Sequence, residues 1–246
     1  MRDGCALVTG AGGGLGAVIA RRLAADGWPV VVDDLDGPAA ERVAAGIGRA
    51  GCRALPVAAD ATDPQAVAEM VRAAHGRLGP VLVTVANASG PQGDVRVDEL
   101  SWDHMLRFFE FFARSPLALL QAALPHMRAA GWGRMVHIGS DLFDRGDPGW
   151  SAYMAAKGAL LGLTRGWATE LGPDGITVNL VAPGWIPVER HGDIAADVEE
   201  RWLSRQPVPR WGTPDDVAGA VSYLVSEGAG FVSGQRIVVN GGFHFV

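Results

Sequence analysis

Short apolar runs alternate with longer amphipathic segments along most of the chain. The runs are Ala6-Leu7-Val8, Val30-Val31-Val32, Ala54-Leu55-Pro56-Val57, Val81-Leu82-Val83-Thr84-Val85, Met135-Val136-His137-Ile138, Ile176-Thr177-Val178-Asn179-Leu180-Val181 and Ile237-Val238-Val239. Each is rich in β-branched residues and bounded by Gly, Pro, Asp or Asn, as strands buried on both faces usually are. Between them the pattern predicts helices over Gly14 to Asp26, Pro38 to Ala50, Pro64 to Gly76 and Ser151 to Leu171. Thr62-Asp63-Pro64 and Thr213-Pro214-Asp215 read as helix starts, a capping residue beside a proline that fits the first turn. Strand and helix in repeated alternation predict an α/β fold: a parallel sheet of seven strands with helices on both faces, doubly wound.

Composition narrows this picture without changing it. A chain of 246 residues with 48% hydrophobic content supplies a large core, and no linker, charge block or fixed-period repeat divides it, so one domain is expected over 1–246. The 34 glycines cluster at particular places and read as punctuation. A net charge of -6, from 21 basic and 27 acidic residues, argues against a nucleic-acid partner. No stretch approaches the roughly 18 consecutive apolar residues of a membrane span. The start, Met1-Arg2-Asp3-Gly4, lacks the apolar core and cleavage site of a signal peptide. Two cysteines, Cys5 and Cys52, are too few for a disulfide scaffold or a structural zinc cluster. The expectation is a cytoplasmic protein with neither membrane nor metal partner.

Chemistry enters at Thr9-Gly10-Ala11-Gly12-Gly13-Gly14-Leu15-Gly16, which follows the first predicted strand and opens the first helix. Glycines there allow a tight turn and close approach of backbone to a pyrophosphate, and the helix N-terminus behind them offers free N–H groups. Asp33-Asp34 ends the second predicted strand. An acid at that place accepts hydrogen bonds from an adenosine ribose and repels a 2′-phosphate, which favours NAD over NADP; the alternative is a pair of aspartates capping the next turn. Asp60-Ala61, after the third strand, stands between an adenine contact and a turn. Tyr153 and Lys157 lie four apart on a helix and so share a face. A free tyrosine, with a pKa of about 10, is a poor acid or base near neutrality, and an ammonium close by would lower that value. Ser140, at the end of the fifth run, is placed to hydrogen-bond a carbonyl or alcohol oxygen.

Together these residues resemble the short-chain dehydrogenase/reductase family, in its 3-oxoacyl-carrier-protein-reductase-like branch, over essentially the whole chain. Thr9, Gly10, Gly14 and Gly16 fit its Thr-Gly-x-x-x-Gly-x-Gly pattern, and Tyr153-Met154-Ala155-Ala156-Lys157 fits its Tyr-x-x-x-Lys. Ser140 stands where the family's catalytic serine does. Asn179 with Ala182-Pro183-Gly184 resembles the stretch leading to the nicotinamide contact, and Gly234-Gln235 and Asn240-Gly241-Gly242 resemble the last strand and turn. The resemblance implies a Rossmann-type fold and hydride transfer between NAD(H) and a carbonyl/alcohol pair. Tyr153 would give or take the proton, Lys157 would hold the cofactor ribose and depress the tyrosine pKa, and Ser140 would orient the substrate oxygen. Gly10, Gly13, Gly14, Leu15, Gly16, Asp34, Asp60, Ala61, Asn87, Pro183, Gly184 and Ile186 would complete the cofactor site.

Two departures stand out. The family's Asn-Asn-Ala-Gly appears as Ala86-Asn87-Ala88-Ser89, and its catalytic asparagine falls on Phe112, within Phe108-Phe109-Glu110-Phe111-Phe112. Phenylalanine can neither donate nor accept the hydrogen bond that holds a relay water. The substrate pocket implied by the resemblance comprises Asp141-Leu142-Phe143, Trp150 and a lid over about 185–210 containing Trp185, His191 and Trp202. These surfaces suit a bulky or aromatic small molecule, unless the tryptophans merely close the lid onto the core. The helices from Ser101 to Ala130 and Ser151 to Leu171 resemble those that pair subunits, implying a homodimer or homotetramer. Two other readings compete: a redox-inactive relative, such as a dehalogenase-like or epoxide-forming lyase, and a non-catalytic dinucleotide-binding subunit.

Overall fold

The computed structural model describes residues 3–90 and 94–245; Met1, Arg2 and Val246 of the expected 1–246 domain lie outside them, as do residues 91–93. In chain order the major elements are β1 (Cys5–Val8), α1 (Gly14–Ala25), β2 (Val30–Asp33), α2 (Gly37–Arg49), β3 (Ala54–Val57), α3 (Pro64–Leu78) and β4 (Val81–Ala86). The second half continues with α4 (Trp102–Phe109), α5 (Ser115–Ala130), β5 (Gly133–Ile138), α6 (Leu142–Arg145), α7 (Ser151–Leu171), β6 (Ile176–Pro183), α8 (Ala196–Leu203), α9 (Pro214–Val225) and β7 (Arg236–Val239). The strands form one seven-stranded sheet in the order β3-β2-β1-β4-β5-β6-β7, every pair parallel.

The expected architecture is the observed one. Parallel strands covered on both faces must be apolar throughout, and β1, β2, β4, β5 and β6 are buried along their whole lengths. One face carries α1, α2 and α9, whose Ile19, Leu23, Val43, Ile47 and Val221 pack on Val8, Val32 and Val136. The other carries α3 and α5, with Val67, Met70, Leu119 and Met127 against Leu7, Val31 and Val178. Capping fixes several helix starts. Asp63 accepts from the Gln65 amide at 2.9 Å, and Thr213 and Asp216 cap α9 reciprocally.

The stretch from Ser101 to Ala130 contains a feature that its hydropathy pattern does not show. Between α4 and α5 the helix widens into a five-residue π turn, Glu110–Arg114, in which the Ser115 amide bonds the Glu110 carbonyl. Pro116 supplies the reason. It has no N–H for the Phe112 carbonyl, so the ladder loses its ordinary partner there. The turn brings Phe112 inward, buried among α7 and the C-terminal end of β6.

Candidate active site

The winding reverses between β1 and β4, so the carboxyl ends of the strands open on a crevice that no crossover helix covers. A cleft of about 1000 Å³ lies there. It is lined by the loop after β1, by Asp33, Asp34, Asp60 and Ala61 beyond β2 and β3, by Asn87 to Gly90 after β4, and by Ser140, Tyr153, Lys157, Pro183, Gly184 and Ile186. Gly10, Gly13, Gly14, Leu15 and Gly16 line it as well. The structure thus brings every candidate catalytic and cofactor residue to one cleft.

The glycine loop is locked before any ligand arrives. Asn87 donates from Nδ2 to the carbonyls of Thr9 and Gly10, each at 2.9 Å. The Thr9 hydroxyl accepts from the Asn87 and Ala88 amides at 3.1 Å. Asn87, read as a cofactor contact, therefore also ties β4 to the loop. This close approach excludes a side chain at Gly16, where a Cβ would overlap the Gly10 carbonyl oxygen and the Asn87 amide. Gly13 is the opposite case: a Cβ there would meet nothing, because the position faces open cleft. A backbone cradle beside free space at the start of α1 suits a diphosphate.

Asp34 turns its carboxylate toward the loop, accepting from the Gly12 amide at 2.8 Å and the Asp36 amide at 3.0 Å. Gly12 was not singled out in the sequence, yet a Cβ there would press on that carboxylate. The two readings of Asp34 are compatible, since a carboxylate that caps the turn keeps lone pairs for a ribose. Asp60 Oδ1 accepts from the Thr62 amide and hydroxyl at 2.8 and 2.7 Å, the geometry of a turn residue at the cleft wall. Asp33 is different. It is fully buried, with no hydrogen bond of good geometry to either carboxylate oxygen, and burial pushes its pKa up to about 8. The charge of Asp34 adds to that rise, and the nearby Ala59 amide offsets part of it.

At the other end of the cleft, Tyr153 sits edge-on to Phe108, Phe112 and Trp150, with ring centroids 6.1, 5.5 and 5.5 Å away. Burial raises its pKa, against the lowering effects of a Ser140 hydrogen bond and the Arg190 and Arg145 charges. Lys157, expected to depress the tyrosine, is not among the groups that lower it here, and burial outweighs those that do. Lys157 Nζ is directed elsewhere, donating to the Ile138 carbonyl at 2.7 Å and lying 5.7 Å from the Tyr153 ring centroid. Lys157 is itself buried, and its pKa is lowered to about 7, chiefly by desolvation and further by Arg190.

Phe112 occupies the place behind this lysine. Its ring centroid is 3.9 Å from Nζ, so a quadrupole stands where the resemblance put a polar group. The pocket beyond Ser140 contains Asp141, Leu142 and Trp150, but Phe143 lies outside it, under the Arg236 guanidinium at 4.7 Å. The cause is the short helix α6, which directs successive side chains to different faces. Trp185 and Trp202 both line the cleft and pack edge-on at 5.0 Å. Trp211 and Phe243, which the sequence did not place in the lid, complete that cluster; Phe243 stacks on Trp202 at 4.3 Å. His191 is half-buried and accepts from the Val188 amide at 3.0 Å. Among the described residues, no group of three or more His, Cys, Asp or Glu is placed to hold a metal ion.

Comparison with known proteins agrees with this geometry. Residues 10–244 match the family model described as Enoyl-(Acyl carrier protein) reductase. Nodulation protein G of Azospirillum brasilense is 36% identical over 250 residues, covering 100% of both chains. Cis-4-hydroxycyclohexanecarboxylate dehydrogenase of Sinomonas cyclohexanicum is 38% identical, covering 97% of this chain and 95% of its own. A 3-oxoacyl-[acyl-carrier-protein] reductase of Staphylococcus aureus is 33% identical with 97% of each covered. Among solved structures, a 7α-hydroxysteroid dehydrogenase complexed with NADH and 7-oxo glycochenodeoxycholic acid superimposes with a TM-score of 0.92 at 33% identity, covering 97% of this chain and 93% of that one.

The state of Asp33 has a measurable consequence. With a folded pKa of about 8 against 3.8 for the free group, the folded chain holds a proton that the unfolded chain has released. Stability contributed through this residue therefore falls as pH rises between those values. Asp33→Asn removes the titration, so its melting temperature relative to the parent should rise from pH 5.5 to pH 8.5. A difference independent of pH would show that Asp33 is ionised in the folded protein.

Proposed function

The chain belongs to the short-chain dehydrogenase/reductase family of oxidoreductases, and from that premise we propose that it is an NAD-dependent enzyme interconverting a secondary alcohol and a carbonyl compound, with Tyr153 as acid/base. The observation that carries this reading is the convergence of Ser140, Tyr153 and Lys157 with the locked glycine loop on one cleft. The reading covers 1–246 as one catalytic domain, with the lid at about 185–210.

A bound nicotinamide supplies the hydride donor or acceptor. Gly13, Gly14 and the backbone of Leu15 would hold its diphosphate, Asp34 the adenosine ribose, Asp60 and Ala61 the adenine end, and Pro183, Gly184 and Ile186 the carboxamide. Ser140 orients the substrate oxygen. Burial keeps the Tyr153 phenol protonated, the form from which it gives a proton to a reduced carbonyl. Lys157 holds a ribose hydroxyl beside the phenol, and the rings of Phe108, Phe112 and Trp150 keep water from its flanks. Phe112 closes the route behind the lysine, so protons reach Tyr153 from the cleft side.

Ring-bearing alcohols and ketones suit the aromatic walls, and the names of two relatives point to substrates of that kind. Trp102, Leu106 and Leu117 are exposed on α4 and α5, which supports a homodimer or homotetramer through that face. Cys5 and Cys52 are both free thiols, and no helix among the described residues is long and apolar enough to cross a membrane, consistent with a cytoplasmic enzyme.

Titration of the protein with NADH and NADPH, followed by a carbonyl panel read as nicotinamide absorbance, tests the reading. NADH should bind about a hundredfold more tightly, the equivalent of a charge clash of a few kcal/mol. Asp34→Ala should narrow the gap mainly by weakening NADH, and a preference for NADPH would overturn the assignment. Tyr153→Phe should lower turnover by about 10²–10⁴ while NADH affinity stays within a few-fold. Near-normal hydride transfer in that variant, or turnover with no nicotinamide, would remove the mechanism. Phe112→Asn should change kcat less than about tenfold, a barrier difference below about 1.4 kcal/mol, because the cleft-side route does not use that position. A hundredfold gain would show that Phe112 cripples the parent.

A further inference from the structure

Besides Ser140 and Tyr153, the cleft is lined by Trp150, Trp185 and Trp202 and by Arg145 of α6. Two donors on residues of this lining, Arg145 Nε and Trp202 Nε1, are buried with no hydrogen-bond partner. Buried donors are almost always satisfied, and a pair left open on one lining points to an acceptor that arrives with the ligand.

Arg145 is held without being consumed. Its guanidinium carbon lies 4.9 Å from the Trp202 ring centroid and 5.6 Å from that of Phe243. Its two acidic neighbours stand back, with Asp141 Oδ1 3.5 Å from Nε and Asp147 Oδ2 3.5 Å from Nη1. Charge-assisted bonds are usually near 2.8 Å. The chain closes such pairs elsewhere: Arg210 grips Asp216 at 2.7 and 2.8 Å, and Arg236 grips Asp144 at 2.8 and 2.9 Å. Asp141 is drawn away from Arg145 by Asn240 at 3.5 Å and His244 at 3.6 Å. Arg145 is close enough to Tyr153 for its charge to act on the phenol, which places it within reach of a substrate whose oxygen sits there. Arg190, the other arginine of the cleft, acts on the phenol more strongly still, but its side chain is exposed and donates to Ser89 Oγ at 3.4 Å, in the loop after β4.

We infer that the substrate carries a carboxylate remote from its reacting carbon, and that Arg145, with Trp202 Nε1 beside it, is the specificity-determining group that receives it. This rests on the reading that Ser140 and Tyr153 take the reacting oxygen. The planar fork of an arginine matches a carboxylate in two bonds. Asp141 and Asp147 each stand 3.5 Å from the same guanidinium, so a singly charged group is accepted where a phosphate dianion is opposed. The tryptophan walls select a ring between the two ends.

The test compares 4-oxocyclohexanecarboxylate with its methyl ester, both with NADH. The parent should favour the acid in kcat/KM by about thirtyfold, expressed in KM, in line with one charge-assisted recognition site. Arg145→Gln should bring the ratio within about threefold, Arg145→Lys should restore part of it, and Trp202→Phe, which keeps an aromatic wall and loses the donor, should lower it about threefold. A parent indifferent to the charge, or an Arg145→Gln variant that loses acid and ester equally, overturns the inference while leaving the dehydrogenase reading intact. Should neither ketone turn over and NADH fail to bind, it is the dehydrogenase reading that falls. Calorimetry with cyclohexanecarboxylate still decides the carboxylate site: binding to the parent that Arg145→Gln abolishes upholds it, and binding absent or unchanged in the variant refutes it.

Discussion

The reversal of winding between β1 and β4 is the constraint on which the rest of this molecule depends. Parallel strands need crossover helices, and right-handed crossovers running outward in both directions from the middle of the sheet leave the carboxyl ends of the central strands uncovered. Loop residues that are distant in sequence meet there. Thr9 and Asn87 convert that meeting into a fixed surface through hydrogen bonds across the divide. The glycine loop is therefore rigid before it is occupied, so a ligand need not supply the energy of ordering it.

Burial then sets the protonation of the groups around that surface, and it acts in opposite senses on acids and bases. Asp33 and Tyr153 are driven toward their protonated, neutral forms, while Lys157 is driven toward its unprotonated, neutral form. No carboxylate is ion-paired to Lys157 among the described residues; a carbonyl oxygen and the face of Phe112 take that place. The π turn that Pro116 imposes is what brings Phe112 into position, so a single missing backbone donor reaches the catalytic centre through one side chain.

The substrate end is built differently. Its walls come from Trp150 at the start of α7, Trp185 after β6 and Trp202 in α8, with Trp211 and Phe243 packed behind them. Ring stacking holds Arg145 where ion pairs elsewhere would have absorbed it. Rigid rings around an open guanidinium make a chamber whose specificity lies in charge and shape, independent of the hydride chemistry beside it.

The order of strands and helices was legible in the sequence because each buried strand is a local apolar run and each helix a local period, punctuated by Asp63, Thr213 and the glycines. The candidate site was legible too wherever chemistry is carried by short spacing: Gly10 to Gly16, Tyr153 to Lys157, Ser140 at a strand end. What escaped it depends on contacts across the chain. No local pattern marks Gly12 as the glycine that meets Asp34, shows that Phe143 turns away while Trp211 and Phe243 join the lid, or reveals that the tyrosine pKa rises. Spacing places Lys157 beside Tyr153, but only the fold aims its ammonium at the Ile138 carbonyl and desolvates the phenol. Hydrophobic period and turn chemistry are properties of neighbouring residues, so the sequence by itself determined the elements and the motif. Burial, direction and charge environment are set by atoms from other elements, and those the tertiary structure alone decided.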